Sequence, residues 1–456
     1  MKRNSGTARN WLLRCVFLAV SVTVFAPRIL PQNGNAHAPD SPTSESRQPE
    51  TARPPEQADV DRYTLSHERY EKAIAYAKAS YTLYFISVFY GVLVLILILR
   101  LGIAAKLRDV AQKWSENRIL QSIIFAPLLI LLVDFLDLPV RVTWHMISLH
   151  YQQSIQGWAS WFRDWAKEEL LGMGIAAVLV TILFEVIRRS PRRWWLYFWF
   201  TSIPILLFLV FIMPWYIDPL FHKFRPLQDT HPQLVAAIKK LSDRAGVPIP
   251  PERMYLMDAS TKTNQLNAYV NGIGASKQVV MWDTTLSKTT QDEALFIVGH
   301  ELGHYVLGHI VDGFVFFSVG LLLALYLGYR ALFWILDRWG KSWKVYGQAD
   351  LAALAVLLLV LEVLSFAASP IENGFSRMQE HNADIYGLEL IHGVVPNSER
   401  VAAHAFQVMG EIDLSDPNPS PFIRFWLYGH PPLAERLVFA YKYDPWSKGK
   451  SPKYVK

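Results

Sequence analysis

Six apolar blocks, at 81 to 104, 119 to 139, 170 to 187, 194 to 217, 310 to 336 and 350 to 370, constrain this chain more than anything else in it. A helix rises 1.5 Å per residue and a bilayer's hydrocarbon core is about 30 Å deep, so about 20 apolar residues make one crossing. Soluble cores need no runs of that length, and the blocks predict an all-α polytopic membrane protein. Composition agrees, with 52% of the 456 residues hydrophobic and only 18% charged. The net charge of +6 lies largely on Arg and Lys flanking the blocks. That is a topology signal, so a lipid bilayer is an expected partner and nucleic acid is not.

The chain begins with a basic stretch, Met1 to Arg14, and a short apolar run, Cys15 to Ala26. Residues 1–30 therefore read as a signal-like segment or as a seventh span. Residues 31–62, rich in Pro, Ser, Gln and Glu, are expected to be a disordered linker. Tyr63, Leu65, Tyr70, Ile74 and Tyr76 recur at roughly helical spacing, as in an amphipathic helix leading into the first block. Cys15 is the sole cysteine, which excludes an intrachain disulfide.

Between the blocks, Val298-Gly-His-Glu-Leu-Gly-His304 sets two imidazoles one helical turn apart. His300 and His304 project from one face and can each offer a ring nitrogen to a metal, while Glu301 is placed to take the proton of a metal-bound water. An acidic start at Gln291-Asp-Glu293 and an apolar run to Val298 suit a buried helix that is polar only where chemistry needs it. His309, five residues after His304, would point about 140° away from it on a continuous helix, which argues against a third ligand there. Glu380 and Asp384 are again one turn apart. Glu380 is read as the third ligand and Asp384 as the acceptor that orients a ligand histidine. Three protein ligands with a free fourth position are the arrangement of a catalytic Zn2+ site, one per chain.

The polar interval at 218–309 also carries strand-like segments, Arg253 to Asp258 and Gln278 to Asp283, with Asn267 to Gly272 between them. Asn271-Gly272 is a hairpin signal. An exposed strand edge beside such a helix can hold an extended peptide through backbone hydrogen bonds.

Taken together, Asp218-Pro-Leu-Phe-His-Lys-Phe-Arg-Pro-Leu227, Asn267-Ala-Tyr269, Val280-Met-Trp-Asp-Thr-Thr285, His300-Glu-Leu-Gly-His304 with Gly308-His309, Ser376-Arg377 with Glu380 and Ala383-Asp384, and His430-Pro-Pro-Leu-Ala-Glu-Arg436 resemble the integral-membrane type I CAAX prenyl protease family. The resemblance covers residues 63 to 445 and implies a zinc metalloendopeptidase with spans around a water-filled chamber. It implies His300, His304 and Glu380 as zinc ligands, Glu301 as base, Asp384 behind them, His430 and Arg436 at the active-site border, and Asn267 at the substrate backbone. Without it, His430 before two prolines reads as a turn residue and Arg436 as the partner of a nearby acid. A chamber also accounts for polar residues in or near spans such as Asp134, Asp137, Arg141, Glu185 and Glu362, but Arg141 and Glu185 are expected to lie at misjudged span ends.

The expected organisation is 1–30 signal-like or first transmembrane segment, 31–62 linker, 63–217 transmembrane bundle, 218–309 catalytic region, 310–371 two spans, and 372–456 C-terminal catalytic segment with the third ligand. The bundle of six or seven spans is joined by a small α+β catalytic region. The expected substrates are peptide segments of lipidated or membrane-associated proteins. A membrane-protein quality-control protease is an alternative, and a non-catalytic zinc-binding scaffold or transporter is one of another class. Basic residues at Lys106 to Arg118, Arg188 to Arg193 and Arg338 to Lys344 fall on one side if all seven segments insert. The positive-inside rule makes that side cytoplasmic and the catalytic region extracytoplasmic, whereas the resemblance to eukaryotic proteases implies the reverse.

Overall fold

The structure, a computed structural model, describes residues 61–272 and 274–455. The signal-like segment and all but the last two residues of the linker lie outside it.

The apolar blocks fall mainly within six long helices: His67–Arg100, Arg118–His150, Trp158–Arg189, Trp194–Ile212, His309–Trp343 and Ala353–Ile391. Five of them are long and apolar enough to cross a membrane. In the sixth, Trp194–Ile212, the block expected to run to residue 217 passes from α-helix into a π-helical turn, Met213–Ile217. Its 19 residues span about 28 Å, close to one hydrocarbon core. Elsewhere the helices overrun their blocks. Ser66 accepts a hydrogen bond from Arg69 N and starts a 34-residue helix in which the amphipathic lead and the first span are continuous. Ala353–Ile391 continues well past residue 370, and this polar extension bears Glu380, Asp384 and Glu389.

Within the bundle Leu95, Leu99, Phe125, Leu129, Leu183, Phe184, Trp194, Phe198, Leu321 and Leu354 pack into one core. Val315, Val319 and Leu323 form an exposed stripe four residues apart, the pattern of a face turned to lipid. Lipid tails are as apolar as these side chains, so close packing and polar contacts must hold such helices together. A polar knot supplies some of that. Arg141 lies 2.5 Å from Asp134, 3.2 Å from Asp137 and 3.7 Å from Glu169 on the next helix, all four buried. Arg141 is thus an internal ion-pair partner and not an exposed span end. Glu185, by contrast, pairs with Arg188 at the end of its helix, 2.6 Å away.

The polar interval 218–309 forms a four-stranded sheet in the order β1-β2-β4-β3. β2 (Met254–Met257) runs parallel to β4 (Gln278–Trp282), and β3 (Ala268–Asn271) pairs antiparallel with β4 from Ala268 opposite Met281 to Asn271 opposite Gln278. The three-residue β1 (Phe224–Pro226) was not anticipated; it is too short to show periodicity. Gly272 turns the hairpin at φ +85°, where a Cβ would sit 2.2 Å from the Ser276 carbonyl oxygen. The sheet and helix Gln291–Val306 share a second core, including Ile238, Leu256, Met281, Phe296, Leu390, Phe406 and Leu437. Backbone and ion-pair contacts tie this region to the bundle: Ile155 N donates to Lys262 O at 3.1 Å, and Lys262 Nζ meets Asp164 at 2.5 Å.

Candidate metal centre

Helix Gln291–Val306 is started by a capping box in which Thr290 accepts from Glu293 N and Glu293 accepts from Thr290 N. His404, from helix Ser398–Ile412, bonds the same Glu293 carboxylate. The helix then buries Ala294 to Gly303 almost completely. Its glycines let a second helix approach: a Cβ on Gly387, of helix Ala353–Ile391, would fall 2.9 Å from His300 N, and one on Gly303 would fall 3.0 Å from Tyr386 Cβ. This close approach of backbones carries Glu380 and Asp384 onto the histidines.

The convergence is tight. His300 Nε2 lies 3.1 Å from His304 Nε2 and 3.3 Å from Glu380 Oε2, and His304 Nε2 lies 3.5 Å from Glu380 Oε1. Donors about 2.1 Å from a tetrahedral ion stand about 3.4 Å apart, so the three residues fit a metal without rearrangement. Among the described residues His300, His304 and Glu380 are the group so arranged. Burial opposes a charge on His300, but hydrogen bonds and charges from Asp384 and Glu380 outweigh it and raise its pKa to about 9. That anionic surplus suits a cation.

Around the triangle, Asp384 Oδ1 lies 2.8 Å from His300 Nδ1. Arg436 grips Asp384 with both edges of a fork, Nε donating to Oδ2 at 2.8 Å and Nη2 to Oδ1 at 2.5 Å, and its guanidinium lies over the Phe406 ring. The residue-based reading of Arg436 as an acid's partner therefore describes its contacts. His430 Nε2 is 3.2 Å from Glu380 Oε2, beyond what a turn residue would need. Glu301 is buried, and its Oε1 has no hydrogen-bond partner among the described residues. Burial, reinforced by Glu380, pushes its pKa up to about 7 against the opposing charges of His300 and Arg436.

Among the described residues no hydrogen bond joins Asn267 to these groups. It is buried at the head of β3, the edge strand, where its backbone exchanges hydrogen bonds with Thr285 Oγ1 and its Oδ1 accepts from Ala268 N. Its Nδ2 is buried with no partner among the described residues. Sequence reasoning missed Gly387, Glu293 with His404, and the position of His309, whose Nδ1 comes 3.0 Å from His304 Nδ1. The 140° argument assumed one unbroken helix, and the chain breaks at Leu307 and Gly308.

Residues 228–443 match peptidase family M48, and residues 47–223 match the family described as CAAX prenyl protease N-terminal, five membrane helices. An uncharacterized metalloprotease of Bacillus subtilis, YhfN, is 36% identical over 386 residues, covering 82% of this chain and 86% of its own. The chain belongs to peptidase family M48, with the CAAX prenyl proteases. The CAAX prenyl protease 1 homolog of Arabidopsis thaliana is 27% identical over 82% of this M48 chain and 87% of its own. The crystal structure of Ste24p from S. mikatae shares the fold, with a TM-score of 0.71 at 24% identity over 86% of this chain and 92% of that one. This M48 protein is accordingly a multi-pass integral membrane metalloprotease that acts on peptide or protein substrates.

Proposed function

We propose that the protein is a zinc endopeptidase that cleaves lipidated or membrane-associated proteins, with prenylated C-terminal peptides, the class named in its relatives, as its first candidate substrates. The observation that carries this reading is Glu301 Oε1, buried without a protein partner on the same turn as His300 while His300, His304 and Glu380 converge beside it. A structural zinc site is closed by four protein ligands; among the described residues this one offers three.

Two imidazoles and a carboxylate suit zinc, which when bound acidifies water and polarises a carbonyl. Glu301 takes the proton of the attacking water and returns it to the departing amine. His430 faces the space beside Glu380, where a ring N–H stabilises the negative oxygen of the tetrahedral intermediate. Arg436 acts through Asp384, keeping it charged and keeping His300 turned towards the metal position. Extended substrate aligns along the free edge of β3, with Asn267 Nδ2 as a donor to its backbone.

We further infer that the catalytic region faces away from the cytoplasm, since Lys106 to Arg118, Arg188 to Arg193 and Arg338 to Lys344 gather on the opposite side.

The function is tested with detergent-purified protein and a farnesylated CAAX peptide, products being read by mass spectrometry. Wild type is expected to cleave, and Glu301→Gln to retain its metal while losing about 10²- to 10⁴-fold in rate. Equal cleavage by the variant would remove Glu301 from the reaction. Metal binding without cleavage by either protein would redirect the search to unprenylated segments such as those of misfolded membrane proteins.

A further inference from the structure

The helix that carries both histidines of the HExxH stretch stops at Val306, and a new helix starts at His309. Gly308 between them takes φ +71°, a left-handed conformation that interrupts the helix. Across this break His309 meets the side of His304 away from His300 and Glu380: their Nδ1 atoms are 3.0 Å apart and their rings meet edge to face, 5.0 Å between centroids. His309 is buried, and its backbone carbonyl accepts from Gln379 Nε2, the neighbour of Glu380.

We propose that His309 is a positioning residue that sets the tautomer and ring plane of the metal ligand His304. This rests on the zinc-site reading above. Two imidazole nitrogens 3.0 Å apart need one proton between them. A neutral histidine that ligates through Nε2 carries its proton on Nδ1, so His304 Nδ1–H donates and His309 Nδ1 accepts, with the His309 proton on Nε2. Nδ1 of His304 is thereby committed, and only Nε2 faces His300 and Glu380.

The two ligand histidines are therefore held by different chemistry. His300 leans on the carboxylate of Asp384, and His304 on an imidazole. The centre already buries Glu301, Glu380 and Asp384, with Arg436 as the cation in contact with Asp384. A further carboxylate behind His304 would add a fourth buried anion at a high desolvation cost, whereas an imidazole fixes the ring without adding charge. His309 itself stays out of the ligand set, because its Nδ1 is directed at His304 and not at the point where the donors converge.

The test measures zinc affinity by chelator competition, and the visible spectrum of the cobalt-substituted protein, for wild type, His309→Phe, His309→Asn and His304→Ala. His309→Phe keeps a ring and removes the acceptor; His309→Asn places an amide oxygen near the lost Nδ1. The expected results are affinity about 10- to 100-fold weaker for Phe with an altered cobalt spectrum, and recovery to within about threefold of wild type for Asn, with metal-free unfolding midpoints close to wild type for both. Should Phe not fold, His309→Ala replaces it with the same expectation. Wild-type affinity in the Phe or Ala variant, or equal loss in the Asn variant, overturns the proposal. The metal-site reading fails separately, and takes this proposal with it, if wild type binds no zinc or His304→Ala binds it as wild type does.

Discussion

Asp384 joins His300, a candidate metal ligand, to a buried cation. One side of its carboxylate meets His300 Nδ1 and both oxygens take the fork of Arg436. Asp384→Asn replaces one acceptor by an NH₂ that must face either the histidine or the guanidinium, both donors. We expect metal affinity to fall about 10- to 100-fold in that variant, measured by chelator competition; wild-type affinity would show that Asp384 does not orient His300. The one-turn spacings of His300 with His304 and of Glu380 with Asp384 were readable from sequence because helical geometry is local. That Arg436, 52 residues further on, would end on Asp384 was not, since either a substrate-facing or an acid-paired arginine satisfies the same residue pattern.

Two helices make the site, and their spacing is set by atoms that are missing. Gly387 lies against the backbone of His300, and a Cβ there would come 2.9 Å from His300 N and 3.1 Å from its Cα. Backbone cannot rotate away, so Gly387→Ala must push the helices apart by tenths of an ångström. We expect destabilisation of about 1 to 3 kcal/mol together with weaker metal binding; a variant with both unchanged would show that the helices have slack. At the start of helix Gln291–Val306, the His404 pKa is raised chiefly by its hydrogen bond to Glu293, against burial. A raised folded value means that this contact contributes fully below the unfolded pKa of about 6.5 and is lost as pH climbs through the folded value. The gap in unfolding midpoint between wild type and His404→Gln should therefore narrow from about pH 5.5 to about 8.5, and a gap constant across that range would contradict the assignment. Neither Gly387 nor His404 stood out in the sequence, for a lone glycine and a lone histidine carry no periodicity and matter only through the helix opposite.

The molecule as a whole joins a bundle of long apolar helices to a polar region that carries the sheet, and the orientation proposed for it from charge can be tested directly. In a protein with Cys15 replaced by Ala, a cysteine placed between 260 and 275 is expected to react with an impermeant maleimide added outside intact cells. One between 105 and 118 should react only after permeabilisation, and the opposite pattern would put the active site in the cytoplasm. The sequence alone determined the fold class and the spacings that pair His300 with His304 and Glu380 with Asp384, because crossing a bilayer demands long apolar runs and a shared helix face demands a spacing of four. Tertiary structure decided what each polar residue meets: Arg141 turned inward onto Asp134, Asp137 and Glu169, Arg436 bound to Asp384, and His309 set against His304 across the break at Gly308. Local rules fix periods and propensities, but a buried charge or imidazole takes its role from the groups that packing brings opposite it, and those come from distant parts of the chain.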